Sequence, residues 1–155
     1  MKKTGMIDVG NKRETRRMAR ARAFVRMDKE IIERIKKNDM PKGDVLESAR
    51  VAAILACKKT ASLIPLCHNI EVEYAGIDFK FKQNGIIAES LVKSTGKTGV
   101  EMEALISCTM AALTIYDMCK MFSKDIEIQK IVLLEKRGGK SGIYKRHPIK
   151  SKDKF

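Results

Sequence analysis

The sequence contains no tryptophan and few aromatic residues, and this scarcity limits the binding functions open to it. Aromatic residues make up 5% of the 155 residues. RNA-recognition modules stack bases on aromatic side chains of an open sheet, and their aromatic signature motif is missing here. Phe79 and Phe81 are too few to replace it. RNA binding therefore stays the weaker alternative, and we expect no nucleic-acid partner.

The cysteine pattern lacks the spacings of redox and zinc sites. No C-x-x-C pair occurs, so neither a zinc site nor a thioredoxin-like site is predicted. Cys108 and Cys119 fall on one predicted helix, about 16 Å apart along its axis, and cannot form a disulfide there. We interpret all four cysteines as reduced thiols in a reducing compartment: Cys57, Cys67, Cys108 and Cys119.

The sequence also lacks a membrane span and a leader. No apolar run reaches the length of about 18 residues that a span requires. The basic opening "MKKTGMIDVGNKRETRR" has no apolar segment behind it, unlike a secretory signal. We expect a cytoplasmic protein without a membrane partner.

A complete phosphate loop is absent as well. "TGKTG" (95–99) and "GGKSG" (138–142) resemble the end of such a loop, but Leu91 and Leu134 stand where the first glycine is needed. An ATPase is therefore not predicted. Each segment is either an ordinary turn or a loop that offers N–H groups and a lysine to an anion.

Positive charge is abundant: 32 Lys and Arg against 19 Asp and Glu give a net charge of +13. Such a field attracts anions, either nucleic acid or a small polyphosphate, although a basic surface can also serve solubility. If the N-terminal segment is helical, one face of it carries four arginines at i, i+3, i+4 and i+7: Arg13, Arg16, Arg17 and Arg20.

Hydrophobic periodicity predicts one domain over residues 1–155, with the order β-α-β-β-α-β. This order is typical of a ferredoxin-like α+β fold, an antiparallel sheet with helices packed on one face. Residues 1–20 would form a basic arm and 145–155 a mobile basic tail.

The predicted strands are Ala23–Met27, Glu71–Lys82 with a bulge at Ala75–Gly76, Ile86–Lys93 and Glu127–Glu135. The predicted helices are Asp28–Lys37, a helix capped by Asp44 and ended by Pro65, and a long helix from Gly99 or Val100 to Phe122.

The long helix is apolar on every side between Ala104 and Ile115, which predicts cover from a second subunit.

Asp117 and Lys120 follow one turn apart. They form either a surface ion pair, worth under about 1 kcal/mol, or a charged pair at the mouth of a buried site, where lysine has a tunable pKa. Glu103 lies about 21 Å before Asp117 along the helix, so one protomer cannot use both as one acid–base pair.

"LIPLCHN" contains His68 directly after Cys67. A histidine after an apolar run is more often a packed or surface residue than a catalyst, and adjacent side chains point apart. A thiolate–imidazole pair is therefore not predicted.

Six segments, in order and at matching spacing over about residues 6–144, resemble the MoaC family of molybdenum cofactor biosynthesis proteins. They are "MIDVGNK.ET.R.A.A", "KGDV", "AR.A...A.K.T..LIPLCH", "TGKTGVEMEAL", "AALTIYDMCK" and "GGKSG". Asn69 departs from the proline common in the family after "LCH", and residues 70–86 match no quoted segment.

The resemblance implies a lyase that converts 3′,8-cyclo-7,8-dihydro-GTP into cyclic pyranopterin monophosphate and releases diphosphate. It implies no cofactor, a ferredoxin-like fold and a hexamer built as a trimer of dimers, with pockets between subunits. It places Asp117 and Lys120 as catalytic residues. Substrate contacts would come from Leu66, Cys67, His68, Met102, Glu103, Lys42, Arg17 and Lys140. A structural oligomeric scaffold, which would not need the lysine and histidine loops, is a third reading.

Overall fold

The computed structural model describes residues 4–147, which form an antiparallel sheet covered on one face by helices. The predicted tail lies outside the described residues from position 148 onward. In chain order the elements are β1 (Thr15–Arg26), α1 (Lys29–Lys36), α2 (Val45–Lys58), α3 (Thr60–Leu63), β2 (Tyr74–Lys82), β3 (Gly85–Gly96), α4 (Glu101–Cys119), β4 (Glu127–Arg137) and β5 (Tyr144–Lys145).

The sheet has the strand order β2-β3-β1-β4-β5, and every neighbouring pair is antiparallel. The first and third strands along the chain are central, as in the split β-α-β arrangement. The predicted α+β, ferredoxin-like fold class is confirmed. The short β5 at the edge was not predicted.

The first strand is longer than predicted, because it begins at Thr15 and not at Ala23. Residues 15–20 of the predicted arm therefore belong to the sheet, and the helical arginine face does not exist. Alternate residues of a strand point to opposite faces. Arg16 and Arg20 consequently share the open face, where Arg20 pairs with the buried Glu89 of β3. Arg17 points toward the helices.

The β2–β3 hairpin at "QNGI" is confirmed, but the predicted bulge at Ala75–Gly76 is wrong. The register between β2 and β3 runs without a shift from Tyr74 to Lys82. The change of side-chain parity lies before the strand, which starts at Tyr74. The irregularities occur between β1 and β4, where the register shifts twice.

The helix α2 begins as predicted at Asp44, whose carboxylate accepts the Glu47 N–H at 2.9 Å. This bond satisfies one of the free N–H groups of the first turn. The inner face of α2 packs on α4, but Val51 and Leu55 remain more than half exposed. The chain itself thus leaves an apolar strip uncovered on the outer side of its helical layer.

The helix α4 lies across the sheet and is the centre of the core. Its inner residues, such as Ala104, Cys108, Ala111 and Ile115, are fully buried. By length and composition it is the one helix among the described residues that could span a membrane, but its apolar side is used in packing on the sheet and on α2. Leu113, on its outer side, is 47% exposed, so this chain does not provide the all-round cover expected from the sequence.

Candidate active site

A groove lies at the N-terminal end of α4, and two adjoining cavities form it. The first cavity, about 400 Å³, is lined by the "LCH" segment, by Met102 and Glu103, and by Ile7 and Val9 of the N-terminal segment. Small-molecule pockets of proteins begin at about 300 Å³. Five of the predicted substrate contacts therefore meet in one place: Leu66, Cys67, His68, Met102 and Glu103.

The second cavity, about 440 Å³, continues the first and is rich in cations. The two share Lys12 and residues 98, 99 and 101. The second cavity is lined by five basic side chains and one carboxylate, Glu101: the basic residues are Lys12, Arg17, Lys97, Lys136 and Lys140. We call the joined cavities the α4 groove. A cavity lined mainly by positive charge concentrates anions, and the free N–H groups of the α4 N-terminus act in the same direction.

Arg17 contacts both glycine-containing segments in the α4 groove, "TGKTG" and "GGKSG". Its Nε donates to the Gly96 carbonyl at 3.2 Å. Gly138 and Gly139 have φ values of +99° and +76°, and a Cβ at Gly139 would collide with the Arg17 guanidinium. The "GGKSG" turn thus admits the arginine because these two residues lack side chains.

Burial raises the pKa of the Glu103 carboxyl, whose residue is only 3% exposed. The nearby charge of Glu101 raises it further. Burial and the Glu103 charge likewise raise the pKa of the half-buried Cys67 thiol. The apolar end of the α4 groove therefore disfavours negative charge, whereas its other end attracts it. A ligand with a neutral ring and an anionic tail matches this gradient.

The ring of His68 is held by the N-terminal segment. His68 Nε2 lies 2.8 Å from the Ile7 carbonyl oxygen. A carbonyl only accepts hydrogen bonds, so Nε2 carries the proton. In the neutral ring Nδ1 is then the atom that can accept one.

Asp117 and Lys120 lie at the opposite end of α4 in a cluster of three charges. Asp117 Oδ1 is 2.7 Å from Lys120 Nζ, and Oδ2 is 2.8 Å from Lys42 Nζ. Lys42 also donates to the Asp117 carbonyl at 3.1 Å. The Asp117 and Lys120 side chains are 54% and 52% exposed, so this chain alone does not bury them. Because Lys42 comes from the loop before α2, the cluster joins two parts of the chain and is not only an ion pair within one helix.

The hydrogen bonds from the two lysines lower the pKa of Asp117 to about 2. Asp117 in turn raises the pKa of Lys120. At neutral pH the cluster thus contains a carboxylate and an ammonium group. Asp117 thereby stabilises the protonated form of Lys120.

The predicted site residues therefore form two groups that do not meet within one chain. Seven lie at the α4 groove, and three, Lys42, Asp117 and Lys120, lie at the far end of the helix. Glu103 and Asp117 are separated by fourteen residues of helix, about 21 Å at 1.5 Å per residue. Lys42, expected among the other pocket cations, belongs to the Asp117 cluster.

Some residues of the α4 groove were not named as site residues from the sequence. Lys97 belongs to "TGKTG", where a lysine for an anion had been considered. Lys136 could have been found from its pairing opposite Ala19 in the sheet, but this register was not known. Ile7 and Val9 have no chemical signature that marks them.

The two phenylalanines considered for RNA binding do not lie on the open face of the sheet. Phe79 and Phe81 pack against the core and face the helices. Lys36 of α1 lies over the Phe81 ring and Arg50 of α2 over the Phe79 ring. Neither ring is therefore placed to stack on a base from the open side.

The fold and the α4 groove define the class: a ferredoxin-like α+β protein with a small-molecule groove that is apolar at one end and cationic at the other. The MoaC family model matches residues 6–139. The chain belongs to the MoaC family.

Three relatives illustrate the similarity, and each is named cyclic pyranopterin monophosphate synthase. The protein from Listeria welshimeri is 51% identical over 145 residues, covering 93% of this chain and 91% of its own. The one from Novosphingobium aromaticivorans is 50% identical over 140 residues, covering 90% and 89%. The one from Peptoclostridium acidaminophilum is 48% identical over 144 residues, covering 93% and 92%. The family predicted from the motifs is confirmed.

Proposed function

We propose that the chain is a cyclic pyranopterin monophosphate synthase, a lyase of molybdenum cofactor biosynthesis. Its substrate would be the cyclised GTP derivative 3′,8-cyclo-7,8-dihydro-GTP, and its products cyclic pyranopterin monophosphate and diphosphate. Family membership and the names of the relatives support this function. Nothing among these comparisons favours the RNA-binding alternative.

The observation that carries the proposal is the polarity of the α4 groove. The apolar end, with the protonation-prone Glu103, suits the purine-derived ring system. The cationic end, with Arg17 and Lys140, suits the triphosphate. One phosphorus remains in the product as a cyclic ester while diphosphate leaves, so cations that hold the leaving anion lower the barrier.

Asp117 and Lys120 are the proposed catalytic residues. Rebuilding the ring requires several proton transfers, and the Lys120 ammonium can donate at least one of them. Asp117 would orient Lys120 and maintain its protonated state through the 2.7 Å contact. His68 would contribute Nδ1 as an acceptor toward the ligand, since Nε2 is engaged by Ile7.

Because the two groups of residues lie at opposite ends of α4, we propose that two protomers complete each site. The α4 groove would come from one chain and the Asp117 cluster from its partner, in a homo-oligomer such as the hexamer predicted from the resemblance. The exposed apolar residues Val51 and Leu55 of α2 and Leu113 of α4 support an interface beside the helices, since exposed apolar surface suits association.

The proposed function is tested by measuring diphosphate release from the cyclised nucleotide. Wild-type protein should release diphosphate and form the pyranopterin product, and Asp117→Asn should do neither while still binding substrate. A wild-type preparation without turnover would refute the proposal. Filter binding to RNA at moderate salt would then test the alternative function.

A further inference from the structure

The N-terminal segment crosses the mouth of the α4 groove without joining the sheet. Residues 4–14 are exposed except for the half-buried Val9. Between residues 4 and 147, two hydrogen bonds connect this segment to the body of the protein. Ile7 O accepts from His68 Nε2 at 2.8 Å, and Gly10 O accepts from Lys97 Nζ at 2.9 Å.

The two contacts span the groove. His68 lines the apolar cavity, and Lys97 lines the cationic one. Between them, Ile7 and Val9 form part of the wall of the apolar cavity, and Lys12 reaches both. A cavity of about 400 Å³ remains beneath the segment, so the segment covers the space and does not fill it.

A local turn gives the segment its shape. The Asp8 carboxylate accepts the Gly10 N–H at 2.7 Å, and the Lys12 N–H donates to the Val9 carbonyl at 3.0 Å. Asp and Asn form such turns with the backbone two residues ahead. This turn directs the Gly10 carbonyl toward Lys97. Asp8 is tied to the groove contact of Gly10 through this bond to the Gly10 N–H, so its effect passes through the backbone of Gly10.

We propose that residues 6–12 form a strap that closes over the α4 groove, with Asp8 as a positioning residue that sets its closed shape. The strap opens when its bonds to His68 and Lys97 break, and it closes again over the bound ligand, which limits water access during the reaction. On the strap's side both contacts are made by backbone carbonyls, so the strap presents them through its turn and not through its own side chains.

Cys67 is a built-in reporter of strap opening. Its thiol belongs to the same cavity as Ile7 and Val9, whereas the other three cysteines are buried in the core. Alkylation of Cys67 by iodoacetamide, followed by mass spectrometry, measures how often the strap is open. This assay uses the free full-length protein. Only the identity of the ligand under the strap depends on the proposed function. A failure of the strap proposal is therefore distinguishable from a failure of the proposed function.

Asp8→Ala should accelerate the alkylation of Cys67 by about fivefold, the effect of weakening one hydrogen-bonded contact. Asp8→Asn is the matched control. It removes the same negative charge but keeps an oxygen that accepts the Gly10 N–H, so it should react at the wild-type rate. A change in thiol pKa caused by the lost charge would accelerate both variants equally.

Lys97→Met, which removes the second contact, should also accelerate alkylation. Saturating GTP, as a triphosphate probe, should slow the reaction in the wild type and less in Asp8→Ala. Unreactive core cysteines in the same samples report that the variants are folded. Equal Cys67 rates in wild type, Asp8→Ala and Lys97→Met would overturn the strap.

Discussion

The contact between Arg17 and the "GGKSG" turn leads to a sharp prediction, because two glycines of that turn differ in what surrounds them. Gly139 and Gly142 both have positive φ, +76° and +64°. A Cβ at Gly139 would collide with the Arg17 guanidinium, while a Cβ at Gly142 would meet open space. Alanine at either position carries the same backbone cost, but only Gly139→Ala displaces the arginine.

The backbone cost of a left-handed conformation is about 1–2 kcal/mol for a non-glycine residue. In a protein of this size each kcal/mol lowers the melting temperature by about 2–4 °C. Both variants should therefore melt lower by similar amounts. Displacing Arg17 would remove the proposed charge-assisted contact to the substrate phosphates, about 1.5–3 kcal/mol, so Gly139→Ala should also raise KM by roughly tenfold or more.

Diphosphate-release kinetics and thermal unfolding distinguish these effects. We expect Gly142→Ala to keep the wild-type KM and Gly139→Ala to approach the KM of Arg17→Ala. The double variant Gly139→Ala with Arg17→Ala should be no worse in KM than Arg17→Ala alone, since both act on one contact. If Gly142→Ala raises KM as much as Gly139→Ala, the turn does not act through Arg17.

Three further predictions follow from the charges, the helix cap and the core. The two lysines lower the pKa of Asp117 to about 2, so its carboxylate is protonated only as the pH falls through that value. The fall in rate on the acid side of the pH–rate profile should therefore come from another group. A shift of that acid limb in Asp117→Glu would contradict this prediction. Asp44→Ala should destabilise the fold by about 1 kcal/mol and lower the melting temperature by about 2–4 °C, with activity unchanged below that temperature; an unchanged melting temperature would refute the importance of the cap. Burial raises the pKa of the Cys57 and Cys108 thiols to about 12 and that of the Cys119 thiol to about 11. Native protein at about pH 8 should therefore be alkylated only at Cys67. Alkylation of any of the other three cysteines in the folded protein would contradict their burial.

Much of the fold could be predicted because long segments carry strong patterns. The apolar run of α4, the "QNGI" turn and the Asp44 cap each have a local physical cause that residue types reveal. The start of β1 was missed because its inward residues are alanines, Ala19 and Ala21, whose weak hydrophobicity hides the alternation with arginine. The arginine spacing was also compatible with a helix, and only pairing with β3 and β4 decides between the two.

The parts of the candidate site formed by motif residues could be predicted from the sequence. The parts that depend on strand register or on backbone atoms could not. The resemblance proposed ten candidate site residues, but not their separation into two groups at the ends of α4. Lys136 enters the α4 groove through a strand register that includes two shifts. The strap contacts the groove through the carbonyls of Ile7 and Gly10, and backbone atoms leave no trace in residue identity.

The central claim, that two protomers share each site, is tested most directly by mixing two variants that are each impaired in a different part of the site, assayed at a substrate concentration well below the raised KM of Arg17→Ala. Arg17→Ala damages the α4 groove, and Asp117→Asn damages the Asp117 cluster. After dissociation and reassembly of a 1:1 mixture, half of the pairs are hybrids, and one of the two sites in each hybrid is intact. Diphosphate release should therefore recover to about a quarter of the wild-type rate for a symmetric pair. Recovery no greater than the sum of the separate variants would contradict the shared site.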